Sequence, residues 1–317
     1  MSADPGTILL LYLPILLVIV SGFVLRRTGI LSTQADDSLL GVVINLLIPC
    51  LALDVIIGNE ALTRPGNLII PPLAGFGIVA LGIGVSLAAG SIFLQGARVR
   101  RTFGVTSGIQ NYGYIPIPLC VALFDREVVG VLLAFNLGVE VAFWSIGLAT
   151  VSGGVTGKHW LRQFLNPPVI AISAALTLNL LGAGAIIPPP VRTALHMLGQ
   201  CAVPFALLLT GAMLADYAKP GILVSGLRTT GLALVVRLFI LPLLILAGAV
   251  WLPIDPALQR VLIVQGAMPS AAFSIVLARV YGGDMPTAMR CVLATSLVAL
   301  VAIPFWLSFG LSLLPPG

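Results

Sequence analysis

Gln110-Asn111-Tyr112-Gly113-Tyr114-Ile115-Pro116-Ile117-Pro118 and Gln265-Gly266-Ala267-Met268-Pro269-Ser270 each interrupt an apolar stretch long enough to cross a bilayer. Both contain Gly-x-x-Pro, and the two copies lie 153 residues apart in a chain of 317. Proline removes a backbone donor and its ring collides with the preceding turn. Inside hydrocarbon such a break is tolerated only where the freed groups face protein or a water-filled cavity. A matched pair of interrupted helices in two halves of a chain points to the binding site of a transporter.

The rest of the chain fits that reading. It is 59% hydrophobic and 9% charged, with mean hydropathy +1.12. A soluble domain carries about 25% charged residues, so the chain is read as an all-α polytopic membrane protein. Ten spans are expected, near 7–25, 38–57, 68–94, 103–123, 128–152, 167–187, 193–214, 229–252, 257–280 and 286–313. Met1-Ser2-Ala3-Asp4 offers no Lys or Arg before the first apolar run, so that run is expected to be a retained span rather than a signal peptide.

Loop charge sets the orientation. Arg26, Arg27, Arg98, Arg100, Arg101, Lys158, Arg162, Lys219, Arg228, Arg279 and Arg290 fall on one side; Arg64, Arg126, Arg192 and Arg260 fall on the other. The richer side is expected in the cytoplasm of a cell-membrane protein, with both termini outside. The basic residues therefore serve topology, and no nucleic-acid partner is expected. Cys50, Cys120, Cys201 and Cys291 all lie in apolar segments without metal-ligand spacing.

Ten spans divide as five and five, and an odd repeat must insert its second copy upside down. Residues 1–152 are expected to form the first repeat, 153–166 a cytoplasmic linker and 167–317 the second. Asn45-Leu46-Leu47-Ile48-Pro49 and Gln200-Cys201-Ala202-Val203-Pro204 support the duplication at a similar offset. Asn45 and Gln200 are read first as amides bridging helices and second as site-lining groups.

The candidate substrate-binding residues are Asn111, Tyr112, Gly113, Tyr114, Pro116, Gly266, Met268, Pro269, Ser270 and Asn45. Glycine lets the backbone approach a ligand closely. Proline suits the first position of the half-helix that follows a break, and the positive end of that half-helix is suited to an anion. Two such ends meeting at the midplane would favour a carboxylate. Glu140 and Arg237 are intramembrane charges, costly enough to be expected in the protein interior. Glu140, with Gln265, is the ion-coupling candidate; carrying a proton, ligating sodium and bridging to Arg237 all stay open. Asp54 ends the second span.

Gly153-Gly154-Val155-Thr156-Gly157-Lys158-His159 is only superficially a phosphate loop, since Ser152 stands where glycine is required and His159 where Ser or Thr is. Neither His159 nor His196 has a metal-ligand partner at useful spacing. No catalytic set is visible, so no enzyme, cofactor or metal is expected. A channel or a membrane receptor is the alternative from another class.

Three runs resemble the auxin efflux carrier family: Asn45 to Leu53, Gln110 to Leu119, and Met268-Pro269-Ser270-Ala271 through Leu277-Ala278 to Tyr281-Gly282-Gly283-Asp284. The resemblance implies a secondary carrier with five-plus-five inverted repeats, a fold shared with sodium–bile acid symporters. It implies a scaffold part (spans one, two, six and seven) that often mediates a homodimer, and a transport part (the rest) in which the broken helices cross at the substrate. It further implies a small organic anion, auxin-like or malonate- and malate-like. Coupling is expected through a proton at Glu140, with a sodium-coupled symporter as the alternative. Asn111, Gly113, Pro116 and Pro269, with Ser270, match the family pattern. Tyr114 departs from it, because the family often has asparagine on both sides of the glycine.

Overall fold

Prolines and side-chain caps decide where the helices begin. Asp125, Asn166, Asp255 and Asp284 each accept a hydrogen bond from a backbone N–H of the first turn that follows, and Pro167, Pro256 and Pro286 stand in that turn. The structure is a computed structural model that describes residues 5–154, 166–218 and 221–314. The charges Lys158, Arg162 and Lys219, His159, most of the phosphate-loop-like run and most of the expected linker lie outside the described residues.

Along the chain the helices are α1 (Pro5–Arg27), α2 (Thr33–Ile56), α3 (Pro65–Phe93), α4 (Ala97–Gly108), α5 (Pro116–Leu123) and α6 (Arg126–Ser152). They continue as α7 (Pro167–Leu180), α8 (Pro189–Tyr217), α9 (Val224–Trp251), α10 (Pro256–Gly266), α11 (Phe273–Val280) and α12 (Met285–Ser312). Seven of these, α1, α2, α3, α6, α8, α9 and α12, are long and apolar enough to cross a membrane. The expected sixth span is shorter, because α7 ends at Leu180. The expected fourth and ninth spans are each a pair of short helices, α4 with α5 and α10 with α11.

Two long helices carry a wide π turn just before a proline: Val43–Leu47 ahead of Pro49 in α2, and Val236–Ile240 ahead of Pro242 in α9. The proline ring excludes the normal bond to the carbonyl four residues back, and the helix widens to accommodate it. In α9 that carbonyl belongs to Leu238, and the indole Nε1 of Trp306 donates to it at 2.8 Å. A third wide turn, Phe143–Gly147 in α6, has no such proline.

Helix association in lipid lacks a hydrophobic drive and relies on close packing. A methyl group built on Gly138 of α6 would stand 1.7 Å from the Pro72 carbonyl oxygen of α3, and one on Gly75 of α3 would stand 2.2 Å from that of Phe135 in α6. The α1–α8 pair is alike: a methyl group built on Gly211 would stand 1.9 Å from the Ile19 carbonyl oxygen, and one on Gly22 would stand 2.0 Å from that of Leu208. Helices α1, α2, α7 and α8 form one packed group, with α1 on α8 and α2 on both α7 and α8. In the other group α3 packs on α4 and α6, α9 on α10 and α12.

Charged residues tie the helix ends. At one end Arg26 pairs with Asp36 at 2.5 Å and with Asp216 at 3.3 Å, joining α1, α2 and α8. At the other, Asp54 of α2 meets Arg126 of α6 at 3.3 Å and His196 of α8 at 3.0 Å, and Arg64 meets Asp255 at 3.0 Å.

Candidate functional site

The two interruptions cross. The Asn111 N–H donates to the Pro269 carbonyl at 2.8 Å, and the Ala271 N–H donates to the Ile109 carbonyl at 2.9 Å. Gln110 and Ser270 thereby form an isolated antiparallel bridge. The Gln265 Nε2 donates to the Tyr112 carbonyl at 3.1 Å, and the Ser270 N–H donates to Thr295 Oγ1 of α12 at 3.2 Å. Backbone groups released by the breaks are thus partly paired with each other, as a non-helical segment at membrane depth requires.

Pro116 opens α5, as its fixed φ and missing N–H favour. Pro269 does not repeat that role. It lies within the crossing, and α11 begins only at Phe273. The expectation that both prolines open half-helices is corrected on this point, because the Pro269 carbonyl is engaged by the other break instead.

Two cavities flank the crossing. The first, about 500 Å³, is walled by apolar side chains of α1, α8 and α12, including Leu16, Phe23, Leu214 and Leu297, and reaches Ala218 and Gly221 to Val224. The second, about 220 Å³, lies between α2, α6, α7, α8 and the crossing. Asn111 lines both. Its side chain is 7% exposed and makes no hydrogen bond among the described residues. Buried polar groups ordinarily find partners, yet Gln110 Oε1 and Nε2, Gln265 Oε1, Ser270 Oγ and Asn136 Oδ1 have none among the described residues. A set of unpaired donors and acceptors thus surrounds the point where the breaks meet.

Tyr112, Gly113 and Tyr114 line the second cavity; Pro269 and Ser270 line the first. Pro116, Gly266 and Met268 are buried beside the crossing and face neither cavity. Asn45 lies outside both and donates to the Gly41 carbonyl of its own helix at 2.7 Å. Gln200 likewise stays on its own helix, 2.8 Å from His196 Nε2.

Glu140 lies in the second cavity, where three donors converge on it: Tyr112 Oη at 2.8 Å, Trp144 Nε1 at 3.0 Å and Asn166 Nδ2 at 3.1 Å. They come from the first break, from α6 itself and from the cap of α7. Trp144 also packs edge-on against Phe143 and Phe273, so the cavity has an aromatic wall. The bridge to Arg237 is not formed. Arg237 is fully buried and its Nη1 donates to the Gly108 carbonyl at 3.3 Å, with no carboxylate at ion-pair distance among the described residues. The two charges belong to different surroundings, one to a cavity and one to a helix end.

Sequence reasoning passed over Asn136, Trp144, Asn166 and Thr295 as site groups. Trp144 stands one turn after Glu140 on the same helix face, and Asn166 precedes Pro167 as a cap; those signals were available. Nothing local in the sequence marks Thr295.

The family model described as membrane transport protein matches residues 7–154 and 151–307. An uncharacterized transporter of Methanothermobacter thermautotrophicus is 26% identical over 309 residues, covering 93% of this chain and 95% of the relative. An uncharacterized transporter of Methanocaldococcus jannaschii is 23% identical over 300 residues, with 92% and 95% covered.

Proposed function

This chain belongs to the membrane transport protein family, that of the auxin efflux carriers, and from that premise we propose that it is a secondary transporter of a small organic anion. The observation that carries the reading is the crossing of two broken helices around the unpartnered Asn111 amide, reachable from cavities on either side. The α5 and α11 N-termini supply positive ends there, and unpaired side-chain groups supply hydrogen bonds.

The carrier has ten spans in a five-plus-five inverted repeat, residues 1–152 and 167–317 about a 153–166 linker. Contacts between helices support this: α1 on α8 corresponds to α7 on α2, α3 on α6 to α9 on α12, and α3 on α4 to α9 on α10. Helices α1, α2, α7 and α8 form the scaffold, through which two copies pair. The remaining helices form the transport part, and alternating access is movement of one against the other. Glu140 carries the coupling proton. Its bond to Asn166 ties the moving part to the scaffold and must open in each cycle. The larger cavity reaches the loop after α8, on the side that charge assigns to the cytoplasm, so this is an inward-facing state.

The test is counterflow in proteoliposomes with a panel of mono- and dicarboxylates and indole acids. Saturable counterflow of at least one acid, abolished by Asn111→Ala and by Pro116→Ala in protein that still reconstitutes, supports the reading. Wild-type flux in both variants refutes the site, and single-channel currents would replace the carrier with a channel.

A further inference from the structure

Four helix ends meet at the crossing. α5 and α11, of 8 residues each, present their N-termini; α4, of 12 residues, and α10, of 11, end there at Gly108 and Gly266. Each end carries about half an elementary charge, positive at the N-terminus and negative at the C-terminus. Two positive and two negative ends nearly cancel, so the dipoles alone give the crossing little preference for an anion.

Arg237 breaks that balance. Its guanidinium rests on the Gly108 carbonyl, at the negative end of α4, and is 0% exposed. Among the described residues Nε and Nη2 have no hydrogen-bond partner and no acidic residue pairs with it. A guanidinium stays charged in proteins. Gly108 is three residues from Asn111, a separation of about 10 Å even if fully extended. Among the described residues no ionisable side chain besides the Tyr12 phenol lines the first cavity, whereas Glu140 lines the second. Among those residues no carboxylate compensates the field of Arg237 on the side of the larger cavity.

Resting on the anion-carrier reading above, we infer that Arg237 determines the charge specificity of the crossing. It touches neither cavity; by neutralising the end of α4 it leaves the positive ends of α5 and α11 to select an anion over a neutral molecule of the same shape. A unit charge about 10 Å away at an effective dielectric of about 20 corresponds to roughly tenfold in binding.

The test uses the purified full chain and ligand-dependent thermal stabilisation, which reports binding by mass action. The probes are acetate, malonate, benzoate and indole-3-acetate, each beside its amide. Wild type is expected to bind at least one acid more tightly than its amide. Arg237→Gln, which keeps a donor for Gly108 without the charge, and Arg237→Met, which keeps the apolar stem, are expected to reduce the acid-to-amide ratio about tenfold. Arg237→Lys is expected to restore it. A wild type with no preference for any acid overturns the carrier reading and this inference together. A wild-type preference that survives unchanged in either neutral variant overturns the inference alone, as does loss of folded protein in both, which would assign Arg237 to folding.

Discussion

The backbone nitrogen of Asn111 lies 2.8 Å from the carbonyl oxygen of Pro269, so two segments more than 150 residues apart in sequence are stitched at the level where each loses its helix. The stitch depends on a third helix, since Thr295 of α12 accepts the Ser270 N–H at 3.2 Å. Thr295→Val leaves that N–H buried without a partner, and Ser270 is 1% exposed. The expected loss is about 1–3 kcal/mol, read as a lower melting temperature, with Thr295→Ser close to wild type. Equal stability of the Val and Ser variants would remove α12 from the support of the crossing.

Glu140 joins the two packed groups through Asn166. If it carries the coupling proton, Glu140→Gln uncouples transport. Accumulation driven by a pH gradient should fall to background in proteoliposomes, while counterflow without a gradient persists. Gradient-driven accumulation at the wild-type level in this variant would remove Glu140 from coupling.

The Trp306 indole takes up the Leu238 carbonyl that Pro242 leaves without a helical donor. Trp306→Phe should cost about 1–3 kcal/mol with that carbonyl unpaired. In a Pro242→Ala background the helix can supply its own donor, and the same change should cost less. A double-mutant cycle on thermal unfolding measures the difference; additive effects would contradict the proposed compensation.

Gly138 and Gly75 set the distance between α3 and α6. Gly138→Ala forces the helices apart, at a cost of about 1–3 kcal/mol for overpacking. Gly77→Ala and Gly84→Ala, on the same α3 but with nothing within 4 Å, should be neutral or slightly stabilising. Melting of the three variants in one detergent compares them directly.

Much of this architecture was legible in the sequence because proline and glycine act locally. Pro116 and the Gly266 region mark breaks wherever the chain goes, and the apolar runs give the long helices to within a few residues, though α7 stops short at Leu180. What escaped is long-range. The register that places Gln110 opposite Ser270, and the pairing of Ser270 with Thr295, follow from packing that no window of sequence contains. The same limit explains Glu140 and Arg237, which looked like natural partners because both are charged within apolar spans. Arg237 is occupied by the end of α4, and Glu140 by three donors whose convergence only the folded chain creates. Asn45 resembled Gln200 in its spacing to proline, yet its amide bonds its own helix.

The most direct measurement is access to the crossing with Asn111 left in place. Ala272 lines both cavities and is half-buried, so Ala272→Cys in a background with Cys50, Cys120, Cys201 and Cys291 replaced by Ser gives one addressable thiol beside the crossing. A membrane-impermeant thiol reagent should modify it from the cytoplasmic side, and a transported carboxylate at saturation should slow the reaction. A thiol that reacts from neither side, or reacts at the same rate with every transported acid present, would contradict the assignment of the crossing as the anion site.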